Sequence, residues 1–257
     1  MISLIRNQYL VLIFLLLHGV SSFAQSDSMI NLKVRDSLIQ QKPVLRIKQF
    51  IIPASMVGYG FFTLLNSSGK RLNQTTSNEI VEDYPFFNTG LDNILQYTPA
   101  AAVFGLNVGG IKGKNNLKDE ALIYAMAMGI NAGVVFPLKK IVRLERPDQS
   151  KANSFPSGHT STAFVAAEFL RKEYGEVSVW YAIGGYAVAT GTGVLRMLNN
   201  RHWLGDVVAG AGIGIASTKL AYFIHDRIKW KNQQKRALII VPYFQNNSFG
   251  FNIQKLF

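Results

Sequence analysis

Three short stretches of this chain concentrate side chains that could handle an oxyanion. The first is Lys139-Lys140-Ile141-Val142-Arg143-Leu144-Glu145-Arg146-Pro147, with four cations inside eight residues. Arginine grips phosphate through a planar fork, and lysine adds a mobile point charge. A basic cap on a helix C-terminus would look the same, because cations also favour that end of the helix dipole. The second stretch is Phe155-Pro156-Ser157-Gly158-His159-Thr160-Ser161. Proline suits the first turn of a helix, glycine lets backbone approach a ligand, and a helix N-terminus attracts anions. Ser157, Gly158 and His159 then stand where a phosphate would bind; a helix cap with an incidental histidine is the plainer alternative. The third runs Arg196-Met197-Leu198-Asn199-Asn200-Arg201-His202-Trp203-Leu204-Gly205-Asp206. On a helix, His202 and Asp206 would share one face. A carboxylate bonded to one ring nitrogen fixes the tautomer and frees the other nitrogen to attack. A capping aspartate beside a packed histidine would give the same pair.

Each stretch alone is weak, but their order and spacing are specific. Lys-x6-Arg-Pro, then Pro-Ser-Gly-His, then Arg-x5-His-x3-Asp resembles the three-part signature of the phosphatidic-acid-phosphatase type 2 (PAP2) superfamily. That superfamily includes lipid phosphatases, bacterial class A acid phosphatases and vanadium haloperoxidases. The matching stretch, Lys139 to Asp206, is about a quarter of the chain. One position departs: the third motif usually has Ser before its Arg, and Leu195 stands there. A lost or replaced hydrogen bond is expected.

The resemblance implies a metal-independent phosphatase with no cofactor, acting on phosphate monoesters or pyrophosphates, of lipids above all. Lys139, Arg146 and Arg196 would hold the phosphoryl oxygens, helped by Ser157 and the amide of Gly158. His202 would attack phosphorus and become a phosphohistidine, oriented by Asp206. His159 would protonate the leaving alcohol. Of the four histidines, His18 lies in the signal-like N-terminal segment and His225 beside a basic helix end. The other two are those the mechanism needs. A vanadium-dependent haloperoxidase and a non-enzymatic envelope protein that kept the motif remain as alternatives.

Positioning such residues requires a scaffold, and the sequence reads as all-α. Apolar segments recur at Phe50 to Leu65, Leu95 to Val108, Ala121 to Leu138, Thr160 to Leu170, Val177 to Leu198 and Val207 to Ile224. They lack strict alternation, which predicts helices, and the family implies a bundle of about six core helices. Glycines such as Gly184, Gly185, Gly191, Gly193, Gly210, Gly212 and Gly214 would allow helices to approach closely. Asn66 to Lys70 and Gly110 to Lys118 read as polar turns. Ala237 to Phe244 and Ser248 to Phe257 flank Gln245-Asn246-Asn247 and predict a β-hairpin.

Composition narrows the setting. No cysteine is present, so thiolate chemistry and disulfides are excluded. Net charge is +12, which favours an anionic substrate or an anionic membrane surface; no basic stripe interleaved with aromatics points to nucleic acid. Arg6, the run Leu10 to Leu17 and Ser22-Phe23-Ala24 read as a secretory signal cleaved before Gln25, with an uncleaved anchor as the alternative. The expected organisation is a signal over 1–24, a lead-in over 25–47, a helical phosphatase domain over 48–230 and a hairpin over 236–257. Were all six segments membrane spans, Lys139 to Pro147 would face the cytoplasm. Thr160 to Leu170, with Glu168 inside it, reads as amphipathic. The expectation is therefore an exported all-α body, partly embedded or peripheral, with its site facing the periplasm.

Overall fold

The computed structural model describes residues 42–236, 238–245 and 248–255. The signal-like run and most of the lead-in lie outside them. Val44–Asp226 form one compact unit, and the described residues outside that range fall in a second. After a short 3₁₀ turn at Ile47–Phe50 come eight α-helices among the described residues. They are α1 (Ile51–Leu65), α2 (Ser67–Asp83), α3 (Leu91–Leu95), α4 (Thr98–Val108), α5 (Leu117–Val142), α6 (Gly158–Tyr174), α7 (Val179–Leu198) and α8 (Leu204–Arg236). The hairpin follows as antiparallel β1 (Leu238–Gln245) and β2 (Ser248–Lys255), with Leu238 opposite Lys255 and Gln245 opposite Ser248. The all-α reading with a terminal hairpin is what the chain adopts.

Helix α6 is the axis of the first unit. Thirteen of its residues, from Thr160 to Tyr174, are buried, so the amphipathic reading of Thr160 to Leu170 is corrected. Its two carboxylates, Glu168 and Glu173, are buried and hydrogen-bonded. Glu168 accepts two bonds from Arg171, at 2.6 Å each, and one from Tyr186 at 2.5 Å. Burying a carboxylate is costly unless it is bonded this way. Val165 and Phe169 on the same helix pack with Val103 of α4, Ile123 of α5 and Tyr222 of α8.

Asn66 to Lys70 is also corrected. It opens helix α2, which the polar sequence Ser67–Asp83 concealed. Asn66 caps it, its side-chain oxygen accepting from Ser68 N at 2.9 Å. Such a cap supplies a partner for an otherwise orphaned donor. The chain turns 93° between α1 and α2. Gly69 permits the turn, because a Cβ there would lie 2.7 Å from Phe62 O.

The glycines divide into two groups. On α8, a Cβ at Gly210 would lie 2.6 Å from Ser157 O, and one at Gly214 would lie 2.3 Å from Ser161 O. These two glycines let α8 lie directly against the first turns of α6. Gly184 and Gly191 have open space instead, so the expectation of close approach fails for them. Gly214→Ala is expected to destabilise the protein by about 1–3 kcal/mol through overpacking. Gly191→Ala is expected to be neutral or to stabilise by up to about 1 kcal/mol, since alanine favours helix. Denaturant unfolding of both variants in one detergent checks the contrast.

Helix α5 and residues Leu204–Gln233 of α8 are long and apolar enough to cross a membrane, and the bent α1–α2 pair could form one further span. Helix α4 is shorter, at 11 residues. Six spans are therefore not what the described residues offer. Along α5, Leu122, Phe136 and Ile141 are exposed.

Candidate active site

The last turn of α5 and the first turn of α8 lie at the same end of the unit, and the site is built between them. After Val142 the chain leaves the helix through Arg143, whose φ of 49° is left-handed. It then returns through a loop to α6. Ser154 N donates to Leu144 O at 2.8 Å, and Arg146 N donates to Lys151 O at 3.1 Å, which fold this loop back. Arg201 secures it from α7's side, pairing with Asp148 at 2.7 Å.

A cavity of about 1090 Å³ opens here, lined among others by Lys139, Arg146, Gly158, His159, Arg196 and His202. Three stretches far apart in sequence thus meet at one void. Lys139 Nζ donates to Asn153 O at 2.7 Å and to Ser154 O at 3.3 Å. Arg146 Nε donates to Asn153 Oδ1 at 3.1 Å. Arg196 Nη1 meets Asp92 Oδ2 at 2.6 Å, while its Nε is buried with no partner among the described residues. A second cavity of about 330 Å³ shares Arg196 with the first among its lining residues.

Helix α6 points its N-terminus at the cavity through Gly158. A Cβ there would meet Lys139 Cε at 3.7 Å, so the ammonium stem lies against the helix start. Both the dipole and the free amides of such an end favour an anion. Ser157 behaves differently from its sequence reading. It is the N-cap of α6, fully buried, with its hydroxyl 2.8 Å from Thr160 Oγ1. Its side chain is not among those lining the cavity. Pro156 stands one residue before this cap, joined to Phe155 by a cis peptide, and not inside the first turn.

His202 is 3% exposed. Its Nδ1 lies 3.5 Å from Asp206 Oδ2 and 3.3 Å from Ser154 Oγ. The Ser154 hydroxyl donates a short hydrogen bond to the same Asp206 oxygen. Trp203 N adds another at 2.9 Å. All three contacts fall on Oδ2, while Oδ1 is buried with no partner among the described residues, and the Nδ1 side of the ring faces the carboxylate. Burial pushes His202 down to about 4, overcoming the opposing pull of Asp206, with Lys139 and Arg196 adding to the fall. The ring is therefore neutral at physiological pH. His159, half-buried, is likewise pushed down to about 4, by burial first and then by Arg196, Lys139 and Arg146, against Asp92. Its Nε2 is 2.8 Å from Asn93 Oδ1.

Three contributors escaped the sequence reading. Ser154 lay inside the quoted region but had no spacing signal of its own. Asp92 and Asn93 sit on α3, more than 40 residues before the first motif, and only tertiary contact reveals them. Leu195, in place of the usual Ser, can donate nothing, and Arg196 takes Asp92 as its partner.

An all-helical body that gathers two histidines, three cations and a helix N-terminus around one cavity has the make-up of a phosphate-handling site. Residues 120–230 match the family described as the PAP2 superfamily. The chain is also 42% identical over 143 residues to a lipid A 1-phosphatase of Porphyromonas gingivalis. The match takes in 55% of this chain and 32% of that protein, so the chain spans about a third of that relative's length. Two solved structures are similar. A transmembrane PAP2-type phosphatidylglycerolphosphate phosphatase from Bacillus subtilis aligns with a TM-score of 0.47 and 18% identity, over 72% of this chain and 97% of that one. Aquifex aeolicus LpxE aligns with a TM-score of 0.43 and 23% identity, over 56% and 93%.

Proposed function

We propose that this protein is a membrane-associated phosphatase that removes phosphate from a lipid headgroup through a phosphohistidine, without a metal. The observation that carries the proposal is the single cavity lined by both His159 and His202 together with Lys139, Arg146 and Arg196. The similarity to a lipid A 1-phosphatase supports a lipid substrate. So does the location of the site at one end of two apolar helices, where a headgroup meets water. In this reading the site opens to the periplasm.

Lys139, Arg146, Arg196 and the Gly158 amide hold the non-bridging oxygens. Ser157 supports this cradle as the cap of α6 and does not touch substrate. His202 Nδ1 is turned toward Ser154 and Asp206, which leaves Nε2 to attack phosphorus as the bond to the leaving oxygen breaks. His159 delivers a proton to that oxygen. Water then attacks the phosphohistidine, giving its proton to His159, and phosphate departs. Charge spreading over the phosphoryl oxygens is what such a site must stabilise, and fixed cations do so without reorganising. Among the described residues no three His, Asp or Glu side chains gather as metal ligands do.

The test is phosphate release from a panel of lipid phosphates, lipid pyrophosphates and soluble monoesters by the purified protein in detergent. Lipid substrates should turn over fastest, EDTA should leave the rate unchanged, and vanadate should inhibit as a transition-state mimic. Strong EDTA sensitivity, or turnover of soluble esters alone, would overturn the corresponding part of the reading.

A further inference from the structure

Helix α3 holds no motif and lies outside the family match over 120–230, yet it reaches two groups of the site. Asp92, 1% exposed, holds Arg196 at 2.6 Å. Asn199 donates to Thr89 O at 2.9 Å and to Asp92 Oδ1 at 3.3 Å, and accepts from Thr89 N at 2.9 Å. These bonds fix α3 to the C-terminal end of α7. The next residue, Asn93, is exposed, so packing does not explain it. Its side-chain oxygen lies 2.8 Å from His159 Nε2.

An amide oxygen only accepts, so this contact makes Nε2 the protonated nitrogen of the neutral ring. The bond at one ring nitrogen decides what the other can do. We propose that Asn93 is a positioning residue that fixes the His159 ring through Nε2, so that Nδ1 is the nitrogen that exchanges a proton with the leaving oxygen. It rests on the phosphatase reading and extends it to an element outside the three motifs. Asn93 serves His159 as Asp206 serves His202, with one difference. A neutral amide orients the ring without adding the negative charge that would hold the imidazolium proton. In the forward step Nδ1–H of the imidazolium goes to the leaving oxygen as its bond to phosphorus breaks. In the return step Nδ1 takes a proton from the attacking water. Nε2–H stays on Asn93 throughout.

The charged groups facing His159 are Asp92 from α3, Lys139 from α5, Arg146 from the loop after it and Arg196 from α7. Asn93→Asp adds a carboxylate at bonding distance without changing side-chain size. An adjacent opposite charge favours the protonated ring by about 1–3 pH units. The alkaline limb of kcat on an alkyl phosphate should move up by at least about one unit. Asn93→Ala should lower kcat on the alkyl phosphate by about 10–100-fold, within the range of a lost acid-catalysis contribution, with KM little changed. On p-nitrophenyl phosphate, whose leaving group needs no proton, the loss should be much smaller. Unmoved limbs in Asn93→Asp, or equal losses on both substrates in Asn93→Ala, would reduce Asn93 to a surface contact and overturn the proposal. The phosphatase reading fails separately, if the His202→Ala protein releases phosphate at the wild-type rate.

Discussion

Replacing His202 with alanine is expected to lower phosphate release by at least about 10⁴-fold, because the covalent route loses its nucleophile and the remaining groups act as a unit that cannot replace it. The loss should appear in kcat on every substrate. The variant should still fold. Asp206 Oδ2 keeps the Ser154 hydroxyl and the Trp203 amide as partners. Rate alone cannot separate a nucleophile from a base that activates water, so the decisive measurement is chemical. Wild-type enzyme quenched in alkali during turnover of a labelled phosphate ester should carry label on protein, released by acid, as a phosphoramidate does. The alanine variant should carry none. Label surviving in His202→Ala, or a rate within tenfold of wild type, would move the nucleophile elsewhere.

The sequence disclosed the site better than its support. Lys139, Arg146, Gly158, His159, Arg196, His202 and Asp206 could be singled out because they stand at the order and spacing of the three-part signature that the sequence resembles. Asp92, Asn93 and Ser154 could not, since a hydrogen bond across a fold leaves no periodic trace. Ser157 shows the opposite failure. One hydroxyl can cap a helix or meet a ligand, and composition is the same in both cases. Helix α2 was concealed for a related reason. Its stability comes from a cap at Asn66, a glycine contact at Gly69 and the buried Asn73, which accepts from Gly205 N at 3.0 Å, not from an apolar stripe. Each of the six apolar segments falls on a helix, but the described residues hold eight α-helices, and only α5 and α8, with the bent α1–α2 pair as a third, are long and apolar enough to span. Helix α6 is buried by neighbouring helices although it carries Glu168, Arg171, Lys172 and Glu173, and sequence alone cannot show that tertiary partners cover its polar side. The expectation that some of the six segments do not span agrees with the lengths and hydropathies of the helices.

His159→Ala should cost about 10²–10⁴-fold in kcat on an alkyl phosphate, the usual contribution of a placed general acid. On p-nitrophenyl phosphate it should cost at least about tenfold less, since that leaving group departs unprotonated. The pH dependence follows from the direction of the shifts. In the empty pocket His159 is held down to about 4, so its acid form fades as pH rises above that value. His202, also held down to about 4, is lost as a nucleophile only below it. A phosphate monoester becomes a dianion above about pH 6. The productive pairing of imidazolium with dianion, equivalent in protons to neutral ring with monoanion, therefore peaks at about pH 5 in kcat/KM, midway between those two values. Binding changes the second profile. A dianion among Lys139, Arg146 and Arg196 offsets the cations that depress His159, so its pKa rises in the complex. The alkaline limb of kcat should accordingly lie at higher pH than that of kcat/KM, and should vanish in His159→Ala. Coincident limbs, or a limb that persists in the variant, would mean that another group supplies the proton.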